Sequence, residues 1–108
     1  MKVIIYTKDL MDRSKIEAAL KELTCPYQFY DALPSDLSNK NAHIVDLSLE
    51  NAFDILCRFP RQCIAYGPHT QTELFKKAHA LGCKNVLPRS AFFGNMKKVI
   101  TLFLVKKD

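Results

Sequence analysis

The sequence predicts an α/β domain of the doubly wound kind: a three-layer, five-stranded parallel sheet in the order 2-1-3-4-5, with its second helix reduced or absent. Three observations carry this. Short runs rich in β-branched and aromatic residues alternate with segments of helical periodicity. Several of those runs are apolar at consecutive positions, as expected of strands buried on both faces. The connections are short, and right-handed crossovers then restrict the topology.

Val3 to Tyr6 is the first such run. After Thr7-Lys8-Asp9 a helical pattern sets in, with Ile16, Ala19, Leu20 and Leu23 on one face and charged residues on the other. Asp9 or Asp12 is placed to cap its start. Thr24-Cys25-Pro26 ends it, because proline disfavours helix in the residue before it. Tyr27 to Tyr30 is a second strand. Residues 31–41 are rich in turn formers, so at most one helical turn fits after Pro34. Ala42-His43-Ile44-Val45-Asp46 is the third strand.

Glu50 to Phe59 reads as a short helix with Ala52, Phe53, Leu56 and Phe59 inward, stopped by Pro60. Gln62 to Tyr66 is the fourth strand, broken by Gly67-Pro68. Residues 70–81 form an amphipathic helix capped by Thr70 or Thr72, with Gly82 suited to a left-handed C-terminal cap. Asn85-Val86-Leu87 is the fifth strand, closed by Pro88. A last helix runs from Ala91 to Val105, led by Ser90 as N-cap, with Gly94 as a weak point in its first turn.

At 108 residues the chain fits one domain over 1–108. Its 48% apolar and 25% charged residues are an ordinary globular balance. No apolar run approaches the roughly 18 residues that would cross a bilayer, and the N-terminus enters a strand directly, so a cytoplasmic protein without membrane contact is expected. None of the four cysteines, Cys25, Cys57, Cys63 and Cys83, forms a C-x-x-C pair. They read as reduced thiols packed as small hydrophobes. The net charge of +5 comes from scattered lysines and arginines with no aromatic-interleaved stripe, so nucleic acid is not an expected partner.

In a 2-1-3-4-5 sheet, ligands sit outside the carboxyl ends of the strands. The candidates are therefore Thr7, Lys8 and Asp9, then Asp46 and Ser48, then Gly67 and His69, then Arg89 and Ser90. His69 could move a proton only with an acceptor in hydrogen-bond reach. Lys8 and Arg89 are expected to flank Asp46 and hold it as a permanent ion pair. The other use for Asp46 is to cap the helix beginning near Leu49 or Glu50.

These strand ends resemble the response-regulator receiver (CheY-like, flavodoxin-like) family over nearly the whole chain in element order. His43-Ile44-Val45-Asp46-Leu47-Ser48-Leu49 resembles the segment bearing the phosphate-accepting aspartate, with Asp46 in the acceptor position. The resemblance implies a magnesium-holding acidic pair after the first strand, where this chain has Thr7 and Lys8, with Asp9 just beyond. It implies a small hydroxyl residue after the fourth strand, where Tyr66-Gly67-Pro68-His69 stands. It implies lysine-proline after the fifth, where Arg89 and Ser90 stand. Magnesium needs oxygen ligands and phosphoryl transfer needs charge neutralisation, so the departures point to a degenerate or pseudo-receiver without metal, cofactor or catalytic residues.

The function expected is a non-catalytic signalling or protein-interaction module. It would dock a protein partner or a second copy through the family's fourth helix–fifth strand–fifth helix face. Here that face is the helix over 70–81, the fifth strand and the last helix, with Lys76, Lys77, Lys84, Phe92, Phe93, Lys97 and Lys98. The alternatives are a receiver phosphorylated at Asp46, or a domain binding a small anion or nucleotide at Lys8, His69 and Arg89. The first strand-to-helix turn contains no glycine, which counts against a phosphate loop.

Overall fold

Four consecutive residues that are each about equally at home on either side of a pleated sheet make a central strand. Val3–Tyr6 (β1) is such a run, and all four side chains are buried. In the computed structural model, which describes residues 2–31 and 41–106, it lies between two parallel neighbours. The remaining elements are α1 (Leu10–Glu22), β2 (Tyr27–Phe29), β3 (Ala42–Asp46), α2 (Ala52–Arg58), β4 (Cys63–Gly67), α3 (Thr72–Ala80), β5 (Asn85–Pro88), α4 (Arg89–Gly94) and α5 (Met96–Lys106). A 3-10 turn over Pro60–Gln62 leads into β4. The sheet is parallel throughout, in the order β2-β1-β3-β4-β5. The second helix expected to be reduced or absent falls on residues 32–40, outside the described residues.

Alternation along the strands sorts the core into two layers. Ile4, Tyr6, Val45, Cys63 and Ala65 meet α2 and α3 through Ile55, Leu56, Phe59 and Ala78. Val3, Ile5, Ile44, Ile64 and Tyr66 meet α1, α4 and α5 through Ile16, Leu20, Phe92, Ile100 and Phe103. His43 is wholly buried in the first layer, where its ring stacks on Phe59 at 4.6 Å and shares a 3.0 Å hydrogen bond with Tyr6.

Several boundaries differ from the expectation, each for a local reason. Asp9 caps α1 by accepting from the Met11 and Asp12 N–H groups, which frees Asp12 for another use. Neither Thr70 nor Thr72 caps α3, whose N-cap is Gln71 without a side-chain bond. The last helix starts two residues early, directly after Pro88, so Ser90 lies in its first turn instead of capping it. It then breaks at Asn95 (φ −138°, ψ 40°), just after Gly94, whose cost in a helix interior is about 1 kcal/mol. Cys57 is exposed, so it does not pack as all four cysteines were expected to; none of the four is in a disulfide.

Two helices end in the same motif with different residues. In α3 the Gly82 N–H donates to His79 and the Cys83 N–H to Ala78, with Gly82 at φ +99°, the left-handed cap that glycine allows. In α1 the Thr24 N–H donates to Lys21 and the Cys25 N–H to Leu20, but the left-handed position holds Thr24 at φ 54°. A β-branched residue is strained there. Thr24→Gly is expected to raise unfolding stability by about 1 kcal/mol, read as a shift in the urea midpoint at unchanged slope.

Candidate functional site

The strands deliver Thr7, Asp46 and Tyr66 to the carboxyl edge of the sheet on the α1 side, and all three are buried. Asp46 stands opposite Tyr66 in the β3–β4 register. Its Oδ2 accepts from Thr7 Oγ1 at 3.1 Å. Its Oδ1 accepts from the Ser48 N–H at 2.9 Å and from Ser48 Oγ at 2.7 Å, an Asx turn closed by its own neighbours. Both oxygens are engaged, and neither partner is a cation. The helix after it takes Asn51 as N-cap, so Asp46 holds the turn and not α2.

The cation goes elsewhere. Arg89 donates from Nη1 to Asp12 Oδ2 at 2.8 Å and from Nη2 to Asp12 Oδ1 at 2.6 Å, a bidentate pair. The Asp12 side chain is 2% exposed and that of Arg89 39%. Tyr66 Oη also donates to Asp12 Oδ2, at 3.1 Å. The guanidinium lies 5.5 Å from the Tyr66 ring centroid and 5.2 Å from that of Phe93, so its apolar faces are covered by aromatic rings. Phe92 stacks on Tyr66 at 5.0 Å with ring planes 2° apart. Hydrogen bonding to Asp12 holds Arg89 further into its charged form than usual. Burial pushes the Tyr66 hydroxyl well above the usual tyrosine range, and the charges of Asp46 and Asp12 add to that.

The expected ion pair between Asp46 and its flanking cations is therefore corrected. Arg89 closes on Asp12, 77 positions away, and Lys8 is exposed with no ion pair among the described residues. Asp9 is committed to its cap, so it does not supply a carboxylate to Asp46. His69 and Ser90 are exposed at the rim. Gly67 serves packing: a Cβ there would sit 3.3 Å from Leu47 Cβ and 3.4 Å from Phe75 Cε1.

The residues expected to share one docking face flank the edge strand β5 from the two sides of the sheet. Lys77 lies over Phe53 on the α2 side, at 4.3 Å from its ring, and Lys76 pairs with Glu73 on its own helix. Phe92 is fully buried, Phe93 faces Lys15 of α1, and Lys97 pairs with Glu22 of α1.

Asp12 and Tyr66 are the two site residues that motif reading passed over. Asp12 carried a usable signal: it lies at i−4 from Ile16 and i−8 from Leu20, on the inward stripe of α1.

No family model matches the sequence, and no curated protein does. Solved structures match over its full length. A response regulator receiver protein from Pseudoalteromonas atlantica aligns at a TM-score of 0.80 and 9% identity, covering 100% of each chain. A response regulator receiver domain from Rhodospirillum rubrum gives 0.73 at 14% identity, covering 99% of this chain and 96% of that one. A response regulator from Hahella chejuensis gives 0.74 at 17%, covering 99% and 97%. The chain has the receiver fold.

The receiver resemblance implies magnesium at this edge, and the donor set does not fit it. Both oxygens of Asp12 hold a guanidinium and both oxygens of Asp46 hold neutral donors. Among the described residues, no group of three or more His, Cys, Asp or Glu is placed to hold a metal ion.

Two outcomes follow from this geometry. Arg89→Ala leaves a buried carboxylate without its cation and is expected to lower stability by about 3 kcal/mol, whereas Asp12→Asn leaves a guanidinium that can turn to water and costs less. Paired urea unfolding curves at neutral pH check that order. For Tyr66, a folded pKa above the usual tyrosine value of 10.0 gives stability that is complete below pH 10 and is lost as pH rises beyond it. Tyr66→Phe is expected to flatten the alkaline decline by about 1.4 kcal/mol per pH unit, measured by unfolding at a series of alkaline pH values.

Proposed function

We propose that this chain is a receiver-like signalling module that works by docking protein partners, without magnesium-dependent phosphorylation of Asp46. The observation that carries the reading is the Arg89–Asp12 pair with its Tyr66 hydroxyl. A receiver switch needs strand-end groups that exchange partners when a phosphoryl group and its metal arrive. Here the cation is already committed to Asp12, and both oxygens of Asp46 accept from neutral donors. Losing the metal removes the charge neutralisation that phosphoryl transfer depends on. The reading assigns the module no catalysis of its own, and a compartment with reducing conditions suits its four cysteines, none of which is in a disulfide.

The test is direct. Amide spectra of the full chain are recorded while millimolar magnesium, then magnesium with beryllium fluoride, is added. No saturable change at Asp46, Ser48 or Gly67 is expected, and a small-molecule phosphoryl donor should leave the mass unchanged. A phosphoryl adduct absent from Asp46→Asn would overturn the reading in favour of a phosphorylated receiver.

A further inference from the structure

We propose that the groove between α1 and the α4–α5 break is the docking surface, and that it takes an acidic, amphipathic helix of another protein. This rests on the docking reading above and gives it a place and a partner chemistry.

The groove has a volume of about 580 Å³ and meets the strand-end site only through Phe93, with Lys15, Ala18 and Glu22 on one wall and Phe93, Met96 and Lys98 on the other. Lys15, Ala18 and Glu22 follow one another at i, i+3 and i+7, a row about 10 Å long, or two turns. Its floor is small or apolar. Ala18 is exposed, and Gly94 opens the far wall, since a Cβ built there would meet nothing within 4 Å. The break at Asn95 makes that opening, because a continuous helix would carry side chains past it.

Both walls are helices, whose backbone groups are satisfied internally, so there is no strand edge for an extended peptide to pair with. A guest helix pressing an apolar stripe between the two rows is the mode that fits. Charge selects the kind of helix. Three lysines and one glutamate line the groove. Lys97 pairs with Glu22 at 2.5 Å, which cancels the acidic residue. Lys15 rests over Phe93 at 5.4 Å, and Lys98 makes no ion pair among the described residues. The rim is thus positive, and the guest should flank its apolar stripe with Asp and Glu. A second copy is a poor guest, because each chain carries a net charge of +5.

A displayed library of helical peptides about five turns long, selected on the full chain, tests this. Binders are expected to carry acidic residues around an i, i+3, i+7 apolar stripe and to shift the amides of Ala18, Gly94 and Lys98. They should weaken as salt rises. Ala18→Glu and Lys98→Glu, both at exposed helical positions and checked for unchanged melting, should weaken them at least about tenfold. Neutral or basic binders, binders that map to the exposed Leu102 and Val105 of α5, full affinity in Ala18→Glu, or no binders at all would each overturn the proposal. Self-association in sedimentation that Ala18→Glu abolishes would put a second copy in the groove and overturn the partner assignment. Neither variant touches Asp46, so a chain that takes up magnesium yet binds acidic helices would defeat the earlier reading alone.

Discussion

A carboxylate buried to 2% of its side-chain surface is tolerated only with a cation and further hydrogen bonds around it, and Asp12 obtains both. The cation comes from Arg89, 77 positions along the chain, and the extra donor from Tyr66. This one pair ties the first turn of α1 to the end of β5 and the start of α4. α4 begins at Arg89 itself, Phe92 stacks on Tyr66, and the chain restarts as α5 beyond Gly94. Arginine suits the position in a way lysine would not, because its planar fork meets both carboxylate oxygens while its faces stack on Tyr66 and Phe93.

The same pair changes the meaning of Asp46. With the nearest guanidinium turned to Asp12, Asp46 is stabilised by three neutral donors from Thr7 and Ser48. Thr7 thus has a positive role: it is a hydrogen-bond donor to Asp46 at a position where a second carboxylate would repel it. The two carboxylates of the site are engaged separately, one by a cation and one by neutral donors.

Most of the fold was legible because its central strands are short apolar runs between helical patterns. Val3–Tyr6, Ile44–Val45 and Cys63–Tyr66 are apolar at consecutive positions, as a sheet covered on both sides accommodates. Gly82 announced the end of α3 for an equally local reason, its left-handed backbone. The site was legible only in part, because its decisive contact joins residues distant in sequence. Nothing in Arg89 itself says that it will choose Asp12 over Asp46. The choice follows from Asp9 taking the cap, which leaves Asp12 on the inward stripe with Ile16 and Leu20. The contacts of the lysines expected on the docking face were illegible for a similar reason. Lys77 and Lys97 look alike in sequence, yet one leans on Phe53 beneath the sheet and the other bridges to Glu22 above it.

Magnitudes decide how far such an edge could still switch. Breaking a buried ion pair by taking away one partner costs about 3 kcal/mol or more, which corresponds to roughly a hundredfold in an equilibrium constant. A ligand acting at Asp46 through Arg89 would have to favour the opened arrangement by at least that factor merely to equalise the two states. A ligand in the groove between α1 and the α4–α5 break faces no such demand, because neither Asp12 nor Arg89 lines it. On the proposed reading, the interaction that holds the strand ends in one arrangement also borders the groove through Phe93, and a preorganised surface binds at a lower cost of rearrangement. The place to look for a partner is then that face.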